Sequence, residues 1–282
     1  MQISKELYGA IDPAFGAHHG FNCTDLIEVM RCTVSEFERR QNEHWRALRK
    51  VLTGRNPRQI FRRYFKYVPG LVGNAEEMLA ALPDIDLDRA KAAVMAHYDL
   101  LLADCATFKP DEITKLSGRS PPVVDAVFRA ISLAPGSLAK AKTEYLFLGN
   151  PIWEAPGVDL SDSFFVPMPR ATFSHIHRIM ERLTSAAELK ETVEKARSKY
   201  LQDKLEATLR SALPGANVTA GAKWMIGDQE FETDVLVVLD HTVIAAEAKS
   251  NRLTPEGLRG APARVKRLSR TWCSTPRYSP SG

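Results

Sequence analysis

The sequence predicts an α+β protein in which a mainly α-helical N-terminal domain precedes a core of mixed helix and strand. Up to about residue 140, short amphipathic helical patterns alternate with turn signals. After a long helical pattern that ends before Pro214, two apolar runs at 232–239 and 242–249 have the composition of β-strands. The 282 residues suffice for two domains, and a content of 44% hydrophobic and 26% charged residues is typical of globular chains.

Changes of pattern along the chain predict the domain boundaries. We expect a helical domain at 1–140, a small β or connector segment at 141–182, a mixed core at 183–268 and a disordered tail at 269–282. The tail is rich in Ser and Pro, which favours the absence of regular structure.

The net charge of +4 conceals a strong asymmetry. Residues 36–67 and 249–282 each sum to +7, so the remainder sums to −10. Basic regions on an otherwise acidic chain favour a polyanionic partner, although solvated helix faces are an equally good interpretation. The candidate nucleic-acid contacts are Arg58, Arg62, Arg63, Lys66, Arg252, Arg264, Lys266 and Arg267.

The first basic region is predicted to lie on two helices. Ser35 and Glu38 form a capping-box pattern that predicts the start of one helix, and Asn56 before a proline predicts the start of the next. Within the second helix, residues 62–67 interleave basic and aromatic side chains, a combination that can bind phosphates and stack on bases. Helical periodicity, however, places Tyr64 mostly toward the core.

Residues 111–132 predict two short helices around a turn at Gly118. The pattern resembles a helix-turn-helix, whose second helix would enter a DNA groove. Asp125 in that helix would repel phosphate, so a helical pair that serves only packing is the alternative.

Several classes of protein are disfavoured. The four cysteines are scattered and predict reduced thiols rather than a zinc site, and the histidine pairs lack the facing that a metal would need. No apolar run approaches the ~18 residues that span a bilayer. The N-terminus lacks the pattern of a signal peptide, so we expect a cytoplasmic protein without a membrane partner.

The two strand runs carry the chemistry. A two-residue turn at 240–241 places Asp234 directly opposite Glu247. The flanking runs are apolar enough for burial, and a buried carboxylate pair must be protonated, paired or metal-bound. Oxygen ligands of this kind suit Mg²⁺, or Mn²⁺, with Lys249 on the same face to assist a water nucleophile.

Two further features complete this prediction. A second capping box, Ser185 to Glu188, predicts the start of the preceding long helix, on which Glu206 lies at the margin of the apolar stripe. The alternative is that Glu232, Asp234, Glu247 and Lys249 are strand ends that form mutual salt bridges.

The order of elements resembles the PD-(D/E)xK, or restriction-endonuclease-like, nuclease superfamily. A helix that carries a glutamate is followed by a strand, by a strand that carries an aspartate, and by a strand with the motif Glu-x-Lys. The resemblance covers 183–268 and is greatest to the nuclease-related, Mrr-like and Holliday-junction-resolvase-like branches. It implies an αβββαβ core in which Asp234, Glu247 and the Ala248 carbonyl hold Mg²⁺, Glu206 assists, and Lys249 serves the water. The final helix and strand are not visible after Lys249, so a shortened core is expected.

The expected function is therefore Mg²⁺-dependent hydrolysis of nucleic-acid phosphodiesters, with DNA favoured over RNA. The alternatives are a catalytically inactive nucleic-acid-binding adaptor on a degenerate core, and a helical protein-interaction module whose basic patches are only solvated. A homodimer is compatible with each of these functions.

Overall fold

The computed structural model describes residues 2–140 and 150–248. It confirms the α+β class, with a helical region that precedes a region of helix and sheet. Five predicted site residues, Lys249, Arg252, Arg264, Lys266 and Arg267, lie outside the described residues, as do the end of the predicted core and the predicted tail.

The helices are α1 Gln2–Gly9, α2 Asp12–His19, α3 Cys23–Leu52, α4 Pro57–Tyr67, α5 Ala75–Ala81, α6 Leu87–Leu100, α7 Leu102–Cys105, α8 Pro110–Ser117, α9 Pro121–Ala130, α10 Ile176–Ala186 and α11 Lys190–Ala212. The strands are β1 Thr107–Phe108, β2 Ser132–Leu133, β3 Gly157–Asp159, β4 Phe164–Phe165, β5 Asn217–Ile226, β6 Gln229–Leu239 and β7 Thr242–Ala246. Short 3₁₀ helices occupy Pro151–Trp153 and Pro169–His175.

The chain divides into two compact units. One unit combines 2–24 with 181–248, and the other combines 25–140 with 151–180. This division differs from the predicted boundaries, because the first helix packs on the long helix near the C-terminal end of the described chain. The Glu6 carboxylate lies 2.8 Å from the Lys204 ammonium and accepts a hydrogen bond from the Tyr200 hydroxyl at 3.3 Å.

Helix α3 is longer than predicted and passes through Ser35 without interruption. Apolar side chains at Leu26, Ile27 and Met30 are buried before that position, and Leu48 is buried after it. The buried stripe therefore continues at helical spacing across the capping-box pattern. The predicted helix start at Ser35 was wrong because packing of this stripe outweighs a local cap.

Helix α4 begins as predicted. The Asn56 side chain accepts a hydrogen bond from the Gln59 backbone N–H at 2.9 Å, which satisfies a donor at the helix N-terminus. Ile60, Phe61 and Tyr64 are buried in a core that α6 completes. Tyr64 therefore serves packing, as its helical position predicted.

An ionic network attaches α3 to the segment that follows α7. The Glu36 carboxylate accepts hydrogen bonds from Arg39 and Arg40, each at 2.7 Å. Arg40 also donates to the Thr107 carbonyl at 2.7 Å and to the Glu112 carboxylate at 2.9 Å. These arginines lower the pKa of Glu36 to about 2.

Because of this network, the free energy of unfolding decreases as the pH falls through the acidic range. The pKa of Glu36 falls from its ordinary value of 4.5 to about 2 on folding, so its contribution is complete above pH 4.5 and is lost as the pH falls toward 2. We expect Glu36→Gln to lower the free energy of unfolding at pH 7 by about 1–3 kcal/mol and to flatten its decline between pH 5 and pH 3. Urea denaturation at pH 7, pH 5 and pH 3 measures these free energies. An equal decline of the free energy of unfolding between pH 5 and pH 3 in the wild type and in Glu36→Gln would contradict the prediction.

The predicted helical pair at 111–132 is present as α8 and α9, with Gly118 in the left-handed conformation between them. The inner face of α9 packs on β4, since the Phe128 and Phe164 rings stack with their centroids 4.8 Å apart. Arg129 pairs with both Asp125 and Asp159. Strands β1 to β4 form a small sheet in the order β1-β4-β3-β2 beside this pair.

The unit formed by 2–24 and 181–248 contains a three-stranded antiparallel sheet in the order β5-β6-β7. Leucines 205, 209 and 213, on and just after α11, pack on Val218, Val235 and Val237 of the sheet. The predicted start of this helix at Ser185 was wrong. Ser185 belongs to α10, and Glu188 has a φ of +57°, so the chain turns there before α11 begins.

Candidate metal centre on the C-terminal hairpin

The register of the β6–β7 hairpin agrees with the prediction. Leu239 pairs with Thr242 and, at the far end, Val235 pairs with Ala246. Asp240 at the turn has a φ of +50°, a conformation that Asp tolerates and that two-residue hairpin turns require. Strand β7 ends at Ala246, and one further step in the same register would place Glu247 opposite Asp234.

The chain remains attached to β6 beyond the last strand pair. The Ala248 backbone N–H donates a hydrogen bond to Oδ2 of Asp234 at 2.6 Å, and the Thr233 hydroxyl donates to the Ala246 carbonyl at 3.2 Å. The Asp234 carboxylate thus holds the segment that carries Glu247. An acceptor that is ionised makes this the stronger type of hydrogen bond.

The Asp234 carboxylate lies on the face of the sheet away from α11. Side chains alternate along a strand, and Thr233, Val235 and Val237 are the buried set on β6. Asp234 and Leu236 alternate with them and are half-buried. The helix contacts Asp234 only through its backbone, because the Gln202 amide donates to the Asp234 carbonyl at 3.2 Å.

The predicted burial of the carboxylate pair was wrong. Asp234 is half-buried and Glu247 is exposed. Strand β7 has exposed side chains on both faces, including Val243 at 63% and Ile244 at 39% exposure. Water reaches this edge of the sheet and screens the repulsion between the two carboxylates. Their proximity therefore does not require a proton or a metal ion.

Glu206 does not join the pair. Its carboxylate accepts two hydrogen bonds from the Arg210 guanidinium, at 2.7 and 2.9 Å, and Arg210 also donates to the Val218 carbonyl at 2.6 Å. Over 2–140 and 150–248, no group of three or more His, Cys, Asp or Glu side chains is placed to hold a metal ion. The structure therefore joins Ala248 to Asp234 by a hydrogen bond, with Glu247 next to Ala248 in the chain, and leaves Glu206 in an ion pair.

The donor set still fits Mg²⁺. This ion typically takes only one or two carboxylates and retains several waters, so a partly exposed site with two carboxylates is suitable. Only Oδ2 of Asp234 receives a hydrogen bond within the described chain, from Ala248, and Glu247 lies at the solvent. The Ala248 carbonyl is a further oxygen of the kind that these cations accept.

Gly221 is a residue of this site that sequence reasoning missed. In the register of β5 and β6, Gly221 lies across from Asp234, on the side opposite to β7. Its φ of +60° is left-handed, which bends β5 at the level of the carboxylate. An isolated glycine within a strand pattern is the signal that would have indicated such a bend.

The unit formed by 25–140 and 151–180, here called the helical unit, carries the predicted nucleic-acid contacts that the structure describes. They lie in two environments. Arg58 and Arg62 share the Glu76 carboxylate, at 3.1 and 2.8 Å. Arg63 donates to the Lys50 carbonyl at 3.2 Å, and Lys66 lies over the Tyr67 ring.

Comparisons with other proteins add nothing to these assignments, since no family model, curated protein or solved structure matches the chain.

One finding bears on the membrane. Within the residues that the structure describes, none of the helices has both the length and the apolar character needed to cross a bilayer.

The bend at Gly221 generates a prediction about stability. We expect Gly221→Ala to lower the free energy of unfolding by about 1–2 kcal/mol, because the left-handed conformation is costly for a residue with a Cβ. Urea denaturation measures the loss. Gly9→Ala in α1 is the matched control, since Gly9 is helical there with φ below zero and its Cβ would make an ordinary contact at 3.7 Å. An equal loss in both variants would contradict the prediction.

Proposed function

We propose that the C-terminal hairpin carries the site of a Mg²⁺-dependent nuclease that hydrolyses nucleic-acid phosphodiester bonds. The observation that carries the proposal is the hairpin register, together with the hydrogen bond from the Ala248 N–H to Asp234. The same arrangement of Asp234, Glu247 and Ala248 is the one that the resemblance to PD-(D/E)xK nucleases implies. Mn²⁺ is an alternative ion for this set of oxygen donors.

In this proposal, Asp234 and Glu247 bind the ion with the Ala248 carbonyl. The bound ion would neutralise the scissile phosphate and lower the pKa of a coordinated water. Asp234 has a second task, because its carboxylate also orients the backbone at Ala248. Lys249 follows that backbone and would position the attacking water, as the resemblance implies.

The helical unit would supply nucleic-acid contacts through its basic side chains. Arg58, Arg62 and Lys66 are exposed and Arg63 is half-buried, all on α4. Contacts of this kind neutralise phosphates without reading bases. DNA remains the favoured substrate over RNA within this proposal.

A second candidate function is a nucleic-acid-binding adaptor that does not cleave. The observation that favours it is the ion pair between Glu206 and Arg210, which removes one of the expected acidic groups from the site. The adaptor would retain salt-sensitive binding and lack metal-dependent cleavage.

A nuclease assay separates the two functions. We expect Asp234→Asn and Glu247→Gln each to reduce Mg²⁺-dependent cleavage by more than about 100-fold, since even an outer-shell partner of a metal contributes 10–100-fold. Glu206→Gln is expected to retain activity within a few-fold, because Glu206 already pairs with Arg210. Asp228→Asn, at the exposed tip of the β5–β6 hairpin, is the matched charge control.

The outcomes are distinct. Activity that survives both Asp234→Asn and Glu247→Gln would refute the assignment of the site. Wild-type binding without cleavage, with Mg²⁺ or Mn²⁺, would establish the adaptor.

Metal binding has its own readout. An ion that binds only the folded state raises the melting temperature. We expect millimolar Mg²⁺ to raise the Tm of the wild type but not that of Asp234→Asn, with Asp228→Asn behaving as wild type. Equal shifts in all three proteins would contradict binding at Asp234.

A further inference from the structure

The end of α3 and the length of α4 carry an unusual concentration of uncompensated positive charge. Residues 46–66 contain eight Lys and Arg side chains and no Asp or Glu. Only two of the eight, Arg58 and Arg62, have a carboxylate partner within the described chain, and they share the same one, that of Glu76. The other six are Arg46, Arg49, Lys50, Arg55, Arg63 and Lys66.

Tyr67 is the centre of this charge. The Lys50 ammonium lies 5.3 Å and the Lys66 ammonium 5.5 Å from the centroid of its ring. The two ammonium groups are therefore at most about 11 Å apart, close to the Debye length of about 8–10 Å at physiological ionic strength. They repel one another in the free protein, and the negative face of the ring offsets only part of that repulsion.

Arg63 extends the same cluster toward α3. Its guanidinium donates to the Lys50 carbonyl at 3.2 Å and to the Thr53 hydroxyl, which fixes it at the C-terminal end of that helix. A guanidinium has five donors, so these two hydrogen bonds leave others for a ligand. Arg46 lies one turn before Lys50 on the exposed side of α3, so the positive surface continues along the helix.

We propose that Lys50 and Lys66, which lie over the Tyr67 ring, and Arg63, which contacts the Lys50 carbonyl, form a binding surface for the phosphate backbone of a nucleic acid. Binding relieves the repulsion among these cations and releases counterions from the polyanion. Contacts to phosphate oxygens carry no sequence information, so we expect binding through this surface to be independent of sequence. The proposal rests on the nucleic-acid partner of the proposed function, but not on cleavage.

The chemistry favours a nucleic acid over an anionic membrane. Among the described residues from 46 to 67, no large hydrophobic side chain is exposed, and the neighbouring Trp45 is 38% exposed. A protein that lies on a bilayer inserts a set of apolar side chains below the headgroups, and one partly exposed tryptophan does not form such a set.

Glu76 limits the affinity of the same surface. Its carboxylate occupies the position between Arg58 and Arg62 that a phosphate group would take. Exposed ion pairs contribute only about 0.2–1 kcal/mol, so a phosphate can displace this carboxylate at little cost. The predicted contacts Arg58 and Arg62 are thus secondary to the cluster at Tyr67.

Fluorescence anisotropy with labelled duplex and single-stranded DNA, in EDTA and at 50–200 mM salt, tests the proposal without cleavage. We expect the double substitution Lys50→Ala/Lys66→Ala to weaken binding by at least about tenfold. It should also reduce the slope of log K against log salt by about 1.8 on duplex or 1.4 on single strands. Lys190→Ala/Lys195→Ala, which removes two exposed lysines of α11, is the control with the same change of net charge.

Two variants guard against loss of folding. Lys50→Arg/Lys66→Arg retains the charges and should retain binding. Glu76→Gln should tighten binding by about 1.5- to 5-fold, because it frees Arg58 and Arg62.

Three results would overturn the proposal. They are equal weakening by the two double-alanine variants, no binding of the wild type at 50 mM salt, and binding to phosphatidylserine vesicles that duplex DNA does not displace. Unchanged affinity in Glu76→Gln would refute only the secondary role of Arg58 and Arg62. Cleavage that is insensitive to Asp234→Asn would refute the nuclease and leave this surface intact, so the two failures are distinguishable.

Discussion

The register of the β6–β7 hairpin is the constraint on which the candidate site depends. A strand places alternate side chains on opposite faces, so a shift of one residue would send Glu247 to the face that α11 covers. The two-residue turn with Asp240 in the left-handed conformation prevents that shift. The hydrogen bond from Ala248 to Asp234 then extends the alignment past the last strand pair. The residues of the candidate site are thus positioned by backbone geometry and not by burial.

The exposed position of Glu247 changes the electrostatic argument. Two buried carboxylates would need a metal or a proton in order to coexist, whereas a half-buried and an exposed carboxylate coexist in water. Folding therefore does not demand a metal ion at this position, and metal binding there belongs to the proposed function. For the same reason, Glu206 is free to pair with Arg210 without leaving a buried charge unbalanced.

Much of the local structure was predictable because it depends on residues that are close in sequence. The cap at Asn56, the inward face of Tyr64 and the pairing of the hairpin strands are of this kind. The predicted helix starts at Ser35 and Ser185 were wrong, because both serines lie inside helices that begin earlier in the chain. In α3 a continuous buried stripe outweighed the capping pattern, as tertiary packing commonly outweighs local propensity.

By itself, the sequence determined the class of fold, several of the helices and the register of the β6–β7 hairpin, because each follows from periodicity and turn chemistry. Only the tertiary structure decided which charges are compensated. Glu76 pairs with two arginines of α4, while Lys50 on α3 and Lys66 lie over the Tyr67 ring with no carboxylate partner among residues 2–140 and 150–248. These groups meet through the packing of separate helices, and a pattern along one chain does not specify distances between helices.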